Sequence, residues 1–73
     1  MVGYSIHLQK LNKAASAKSI GVRLGRFCIK NNIPVKSVAT QFGITRQAVY
    51  NWFSGKSVPN QKMAAQISDL YPV

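Results

Sequence analysis

Residues 43–56 read GITRQAVYNWFSGK, and this stretch decides how the rest of the chain is interpreted. Gly43 stands where a helix commonly ends on a left-handed residue, a conformation that glycine adopts without strain. Thr45 is a favourable N-cap for a second helix, which the apolar spacing predicts from about Arg46 to Phe53. The stretch therefore predicts a tight turn between two helices rather than one continuous helix rich in aromatic residues.

Three further helices are predicted by apolar residues that recur at helical spacing. The first lies between Ser19, which could cap it, and Asn31. The second lies between Pro34 and Gly43, and the third lies between Asn60 and Pro72. No alternating pattern long enough for a strand is present in the sequence. Residues 19–73 are therefore expected to form an all-α domain, a compact bundle of four to five helices. The apolar positions that predict these helices are Ile20, Leu24, Phe27 and Cys28, then Val35, Val38, Ala39 and Phe42, then Met63, Ile67, Leu70 and Tyr71.

Residues 1–18 differ from the rest of the chain and carry three lysines and a run of small residues. Apolar residues at i, i+4, i+7 and i+11 permit a short helix here, although Ile6 interrupts that stripe. We interpret the segment as a basic N-terminal arm, helical in part. A frayed terminus, which is common in small domains, is the alternative.

The charge of the chain is strongly one-sided, with ten Lys and Arg residues, one acid and a formal net charge of +9. Such an excess favours an anionic partner, either nucleic acid or an acidic membrane surface. No apolar run approaches the ~20 residues that cross a bilayer, and the N-terminus lacks the order of a signal peptide. We therefore expect a protein of the cytoplasm with no membrane association.

The same composition argues against an enzyme and against a metal protein. Acid–base catalysis generally uses paired titratable groups, whereas this chain has Asp69, no Glu and one histidine, His7. Cys28 and His7 are too few ligands for a zinc site, and several carboxylates for magnesium are lacking. We expect no catalytic activity, no metal, no cofactor and no small-molecule ligand, and a buried apolar role for Cys28.

Residues 35–55, VKSVATQFGITRQAVYNWFSG, resemble the helix-turn-helix of the Cro and phage-repressor superfamily. The chain departs from that motif where it has Val35 in place of the usual Gln, after Pro34 in place of a polar cap. It also has Phe53 where Glu is frequent, so Phe53 either completes the core or belongs to a partner surface. A purely structural helical hairpin is the alternative reading of the same spacing. The residues that carry the resemblance are Val38, Ala39, Phe42, Gly43, Ile44, Val49, Trp52 and Gly55.

The resemblance implies that the second helix of the motif enters the major groove of DNA with its N-terminal part. Arg46 can form a bidentate pair with guanine and Gln47 with adenine. The implied base-contacting residues are Thr45, Arg46, Gln47, Tyr50 and Asn51. The implied phosphate-contacting residues are Lys36, Ser37, Lys56 and Ser57.

These features predict sequence-specific binding of double-stranded DNA by a small transcriptional repressor of phage or bacterial type. A homodimer is expected on the DNA, through Leu70, Tyr71 and Val73 or else through Phe53. The alternatives are a non-specific or architectural nucleic-acid-binding accessory protein of a phage, and a basic helical adaptor for an acidic protein partner.

Overall fold

A computed structural model describes residues 4–73, and within that range it contains helices and no strand. The all-α fold expected from the sequence, a bundle of four to five helices with a helix-turn-helix, is confirmed. The helices are α1 (Ile6–Ala14), α2 (Ile20–Lys30), α3 (Val35–Phe42), α4 (Arg46–Ser54) and α5 (Gln61–Leu70).

Helix α4 lies at the centre of the bundle and packs against α1, α2 and α3. Helix α5 packs against α2. Each fully buried aliphatic or aromatic side chain contributes roughly 1.5–3 kcal/mol of transfer free energy. The core therefore holds α4 by its inner face and leaves its outer face open. The side chains that are completely shielded from solvent are Val22, Leu24, Cys28, Val38, Val49, Phe53 and Ile67.

Two glycines, Gly21 and Gly25, allow α2 to cross close to α4. A Cβ atom on Gly21 would lie 2.9 Å from Trp52 Cβ, and one on Gly25 would lie 2.8 Å from Phe53 Cγ. Both distances are shorter than real Cβ contacts, so the packing of these two helices depends on the missing side chains.

The turn between α3 and α4 has the geometry that the sequence predicted. Gly43 adopts φ +64° and ψ +35°, in the left-handed region. The N–H of Ile44 donates to Ala39 O at 3.0 Å, which satisfies one of the free carbonyls at the end of α3. Thr45 Oγ1 then accepts from the N–H of Ala48 at 3.1 Å and caps α4.

From residue 4 onward, the N-terminal segment is not a free basic arm, because α1 packs against the core. Leu8 and Asn12, at i and i+4, are buried. Asn12 Nδ2 donates to Val22 O at 3.1 Å and to Phe53 O at 2.7 Å, which joins α1 to α2 and α4. Residues 1–3 of the predicted arm lie outside the described residues.

Of the two roles left open for Phe53, completion of the core is confirmed, because its side chain is completely buried, and a partner surface through Phe53 is wrong. Two further expectations about individual side chains are wrong. Leu70 is 53% exposed, because it points away from the buried face of α5 instead of belonging to the core stripe. Ser19 precedes α2, but its hydroxyl makes no capping hydrogen bond and is buried without a partner.

Candidate nucleic-acid interface

Helix α4 presents two chemically different faces. Val49, Trp52 and Phe53 are buried against the core. The Trp52 ring also packs edge-on against that of Phe42, with their centroids 5.9 Å apart, and this contact fixes α4 on α3. The opposite face is polar and open, and its exposed residues are Thr45, Arg46, Gln47 and Tyr50.

An open groove of about 590 Å³ runs along this outer face. Most of the residues that the sequence analysis assigned to DNA contact line the groove, and the others are exposed outside its lining. The predicted residues in the lining are Lys36, Arg46, Gln47, Tyr50, Asn51 and Lys56, and those outside it are Ser37, Thr45 and Ser57.

The amides of Gln47 and Asn51 form a pair one helical turn apart. Gln47 Nε2 donates to Asn51 Oδ1 at 3.1 Å. Within residues 4–73, no hydrogen bond engages Gln47 Oε1 or Asn51 Nδ2, so the pair presents a free acceptor oxygen and free N–H donors. Adenine offers one donor and one acceptor in the major groove, and the amide pair can complement that edge.

The end of α4 is fixed by local hydrogen bonds, some of them made by the loop that follows the helix. Ser54 Oγ donates to Tyr50 O at 2.9 Å, and Gly55 adopts φ +81°. The N–H of Ser57 donates to Asn51 O at 3.3 Å, which folds the following loop back onto the helix. This arrangement places Lys56 beside the groove at a defined position.

Helix α1 supplies part of the groove that the sequence analysis did not assign. Ser5, His7 and Leu11 line it together with residues of α3 and α4. Ser5 Oγ accepts from the N–H of Leu8 at 3.1 Å and caps α1, while His7 is exposed. The sequence permitted a helix here, and the burial of Leu8 and the long-range hydrogen bonds of Asn12 bring that helix beside α4.

The lining of the groove contains three lysine or arginine side chains and no Asp or Glu: the three are Lys36, Arg46 and Lys56. Asp69 lies on α5 beside another concavity, lined by Gln66 and Leu70 among others. The groove therefore combines hydrogen-bonding groups on α4 with positive charge on both sides.

The described groups whose pKa is clearly perturbed owe that shift mainly to burial. Burial raises the pKa of the Cys28 thiol to about 12. It also raises the pKa of Tyr71 above its ordinary value and, together with smaller effects of Cys28, Tyr50 and Tyr71, that of Tyr4. Cys28 is therefore a protonated, buried thiol in the core, well away from nucleophilic chemistry.

Residues 4–73 contain neither a cluster of metal ligands nor a helix that could span a membrane. No group of three or more His, Cys, Asp or Glu side chains could hold a metal ion. No helix in this part of the chain has the length and apolar character needed to cross a membrane.

A family model described as Helix-turn-helix matches residues 24–73. The matched range runs from within α2 to the end of the chain and includes the α3–turn–α4 unit, whereas α1 lies before it. No curated protein and no solved structure matches the chain.

Proposed function

The chain belongs to the Cro and phage-repressor type of helix-turn-helix family, whose domains bind DNA, and we propose that it reads one specific duplex sequence as a transcriptional repressor. The observation that carries the proposal is the polar outer face of α4, which opens onto a groove flanked by Lys36 and Lys56. In this proposal the protein occupies an operator in the cytoplasm of a bacterium or a phage-infected cell and blocks the polymerase.

Base recognition is assigned to the N-terminal half of α4, inserted into the major groove. Arg46 donates its guanidinium fork to the O6 and N7 atoms of guanine. The Gln47–Asn51 pair supplies the acceptor and donor that adenine requires. Thr45 contacts a neighbouring base edge, and Tyr50, which is 38% exposed, packs against a thymine methyl group.

Phosphate contacts come from the two sides of the groove. Lys36 and Ser37 lie in the first turn of α3, where free backbone amides also favour an anion. Lys56 and Ser57 lie in the loop after α4. These residues fix the position of α4 on the duplex and contribute little sequence preference of their own.

A single copy of α4 reads only a few base pairs, so we propose a homodimer on a two-fold operator with half-sites about 34 Å apart or a multiple of that spacing. The C-terminal end of α5 is the proposed contact, because Leu70 is 53% exposed there. This helix carries one Lys and one Asp, so two copies repel each other less along it than along the basic helices. Tyr71 and Val73 border the same end.

Selection of bound sequences from random duplexes tests the proposal, followed by affinity measurements on the selected site and on a scrambled one. We expect Arg46→Ala and Gln47→Ala each to lose about 1–3 kcal/mol of preference for the selected site. Gln61→Ala, which removes an exposed glutamine from the start of α5, is the matched control and keeps that preference.

The phosphate contact of Lys56 has a different signature. Lys56→Ala weakens binding to both duplexes equally and lowers the slope of log K against log salt by about one. Lys62→Ala, the control on α5, leaves that slope unchanged. Unchanged preference in both the Arg46 and the Gln47 variants would remove the base-reading assignment. Binding to all duplexes alike would favour the architectural reading, and no binding at low salt would favour the protein adaptor.

A further inference from the structure

Most of the positive charge of the domain lies away from the groove along α4. Of the ten basic residues, three line that groove, and six lie on α1, on α2 and on the loop that joins them. These six are Lys10, Lys13, Lys18, Arg23, Arg26 and Lys30.

The basic residues of α2 form one stripe that faces away from α4. Arg23, Arg26 and Lys30 are spaced by three and four residues, so they fall on one side of the helix. At 3.6 residues per turn, the stripe is centred roughly 150° around α2 from Gly21 and Gly25, the glycines that touch α4. The stripe is therefore on the far side of α2 from its contact with α4.

Helix α4 also turns its buried face toward α2 and its polar face toward the groove. The reading face of α4 and the basic stripe of α2 consequently lie on opposite sides of the packed pair. The domain is 21 Å thick along its shortest principal axis. Because the two faces are on opposite sides of this thickness, a straight duplex bound to α4 does not reach the stripe.

Arg26 brings the lysines of α1 and α2 together. Its Nη2 donates to Asn12 O at 3.4 Å, to Lys13 O at 3.2 Å and to Ala15 O at 3.0 Å, so the end of α1 is tied to α2. Lys13, Arg26 and Lys30 then line a second concavity of about 280 Å³, which shares no residue with the groove along α4.

No acid lines the concavity of Lys13, Arg26 and Lys30, and the single acid of the chain, Asp69, lines a different one on α5. The repulsion among these cations is relieved when an external anion binds. Lysine is depleted from protein–protein interfaces, whereas lysines commonly contact DNA phosphates without regard to sequence. The chemistry of the cluster thus fits the phosphate backbone of a nucleic acid better than a protein surface.

We propose that the α1–α2 basic face, defined by Lys13, Arg26 and Lys30, binds the backbone of a second DNA duplex. The domain can then bridge two duplexes, one read by α4 and one held without sequence preference. The bridge rests on the proposed function for the first duplex only.

A capture assay tests the bridge. The full chain is bound to an immobilised duplex that carries its selected site, the excess protein is washed away, and a labelled duplex of unrelated sequence is added. We expect the parent to retain the labelled duplex. The Lys13→Gln/Lys30→Gln variant should retain at least about tenfold less of it. The salt slope of capture should fall by about two for this double variant. Among single variants, Lys30→Gln should weaken capture and Lys62→Gln, which removes the same charge from α5, should not.

The proposal is overturned if the parent binds its site and captures nothing, or if the double variant captures like the parent. It is also overturned if Arg46→Ala/Gln47→Ala, loaded until the immobilised duplex carries as much protein as with the parent, captures nothing, because a second α4 in a dimer would then hold the labelled duplex. Preferential capture of polyglutamate over DNA would assign the face to an acidic protein instead. If the parent shows no sequence preference but Lys13 and Lys30 still control capture, the operator proposal fails and the second binding face stands.

Discussion

Gly25 and Gly43 are required for different physical reasons. At Gly25, an added Cβ would lie 2.6 Å from Asn12 Nδ2 and 2.8 Å from Phe53 Cγ, so the position lacks space. At Gly43, no atom lies within 4 Å of an added Cβ, but φ is +64°, so the position restricts conformation only.

This contrast predicts that alanine and asparagine rank in opposite order at the two sites. Gly43→Ala should cost about 1–2 kcal/mol, and Gly43→Asn should cost less because asparagine visits the left-handed region. Gly25→Ala gains about 1 kcal/mol of helix propensity but incurs overpacking of about 1–3 kcal/mol, and Gly25→Asn adds still more volume. Urea unfolding of the four variants measures both orders, and the same order at both sites would contradict this account.

The buried thiol and phenol predict a loss of stability in alkali. The pKa of Cys28 rises from its ordinary value of 9.0 to about 12, and that of Tyr4 rises above its ordinary 10.0. Because the unfolded chain releases these protons first, their contribution to stability is complete below about pH 9 and is lost as pH rises toward the folded-state pKa values.

Urea unfolding between pH 7 and pH 11 checks this for the parent and for Cys28→Ala. The difference between the two proteins removes the titration of the lysines, which both share. We expect the parent to lose its advantage over Cys28→Ala as pH passes 9. A constant difference across the range would mean that the thiol ionises equally in both states.

At the scale of the elements, the sequence was sufficient where structure depends on local signals. The end of α3 at Gly43 and the start of α4 after Thr45 follow from caps and spacing within a few residues. The docking of α1 could not be read in this way, because Asn12 bonds to carbonyls of Val22 and Phe53 that are distant in sequence. A polar residue on an apolar face gives no indication of its partners.

Asn12 therefore predicts how strongly α1 is held. Asn12→Ala removes two buried hydrogen bonds and leaves the Phe53 carbonyl without its 2.7 Å partner, at an expected cost of about 1–3 kcal/mol. Asn31→Ala is the matched control, because Asn31 Nδ2 also donates to a helix carbonyl, that of Phe27, but at an exposed site.

The two variants are compared by urea unfolding and by hydrogen exchange of the α1 amides. We expect Asn12→Ala to accelerate exchange in α1 and Asn31→Ala to leave it slow. Equal effects of the two substitutions on stability would show that burial of the Asn12 amide adds nothing.

The whole molecule explains why the role of Phe53 stayed open and why the basic face was not predicted. Phe53 packs against α2 at Gly25, where an added Cβ would lie 2.8 Å from Phe53 Cγ, and against the Tyr4 ring, whose centroid is 6.2 Å away. Sequence patterns placed the lysines of residues 1–18 on an arm, whereas their positions are set by Arg26 and the docked helix. The face of α4 was accessible to prediction because a single helix and its caps define it.

The excess positive charge of the whole domain predicts that salt stabilises the fold. With one acid against ten bases and a net charge of +9, most of its cations have no counter-charge within the chain. Salt shortens the range of their repulsion, from about 30 Å at 0.01 M to about 3 Å at 1 M. If this relieves about 1 kcal/mol, the midpoint of thermal unfolding should rise by about 4–8 °C between low and high sodium chloride. The Lys13→Gln/Lys30→Gln variant should start higher at low salt and rise less, because it has already lost two of the clustered charges. Calorimetry of both proteins without DNA gives the two curves, and parallel curves would mean that salt acts on apolar burial rather than on charge.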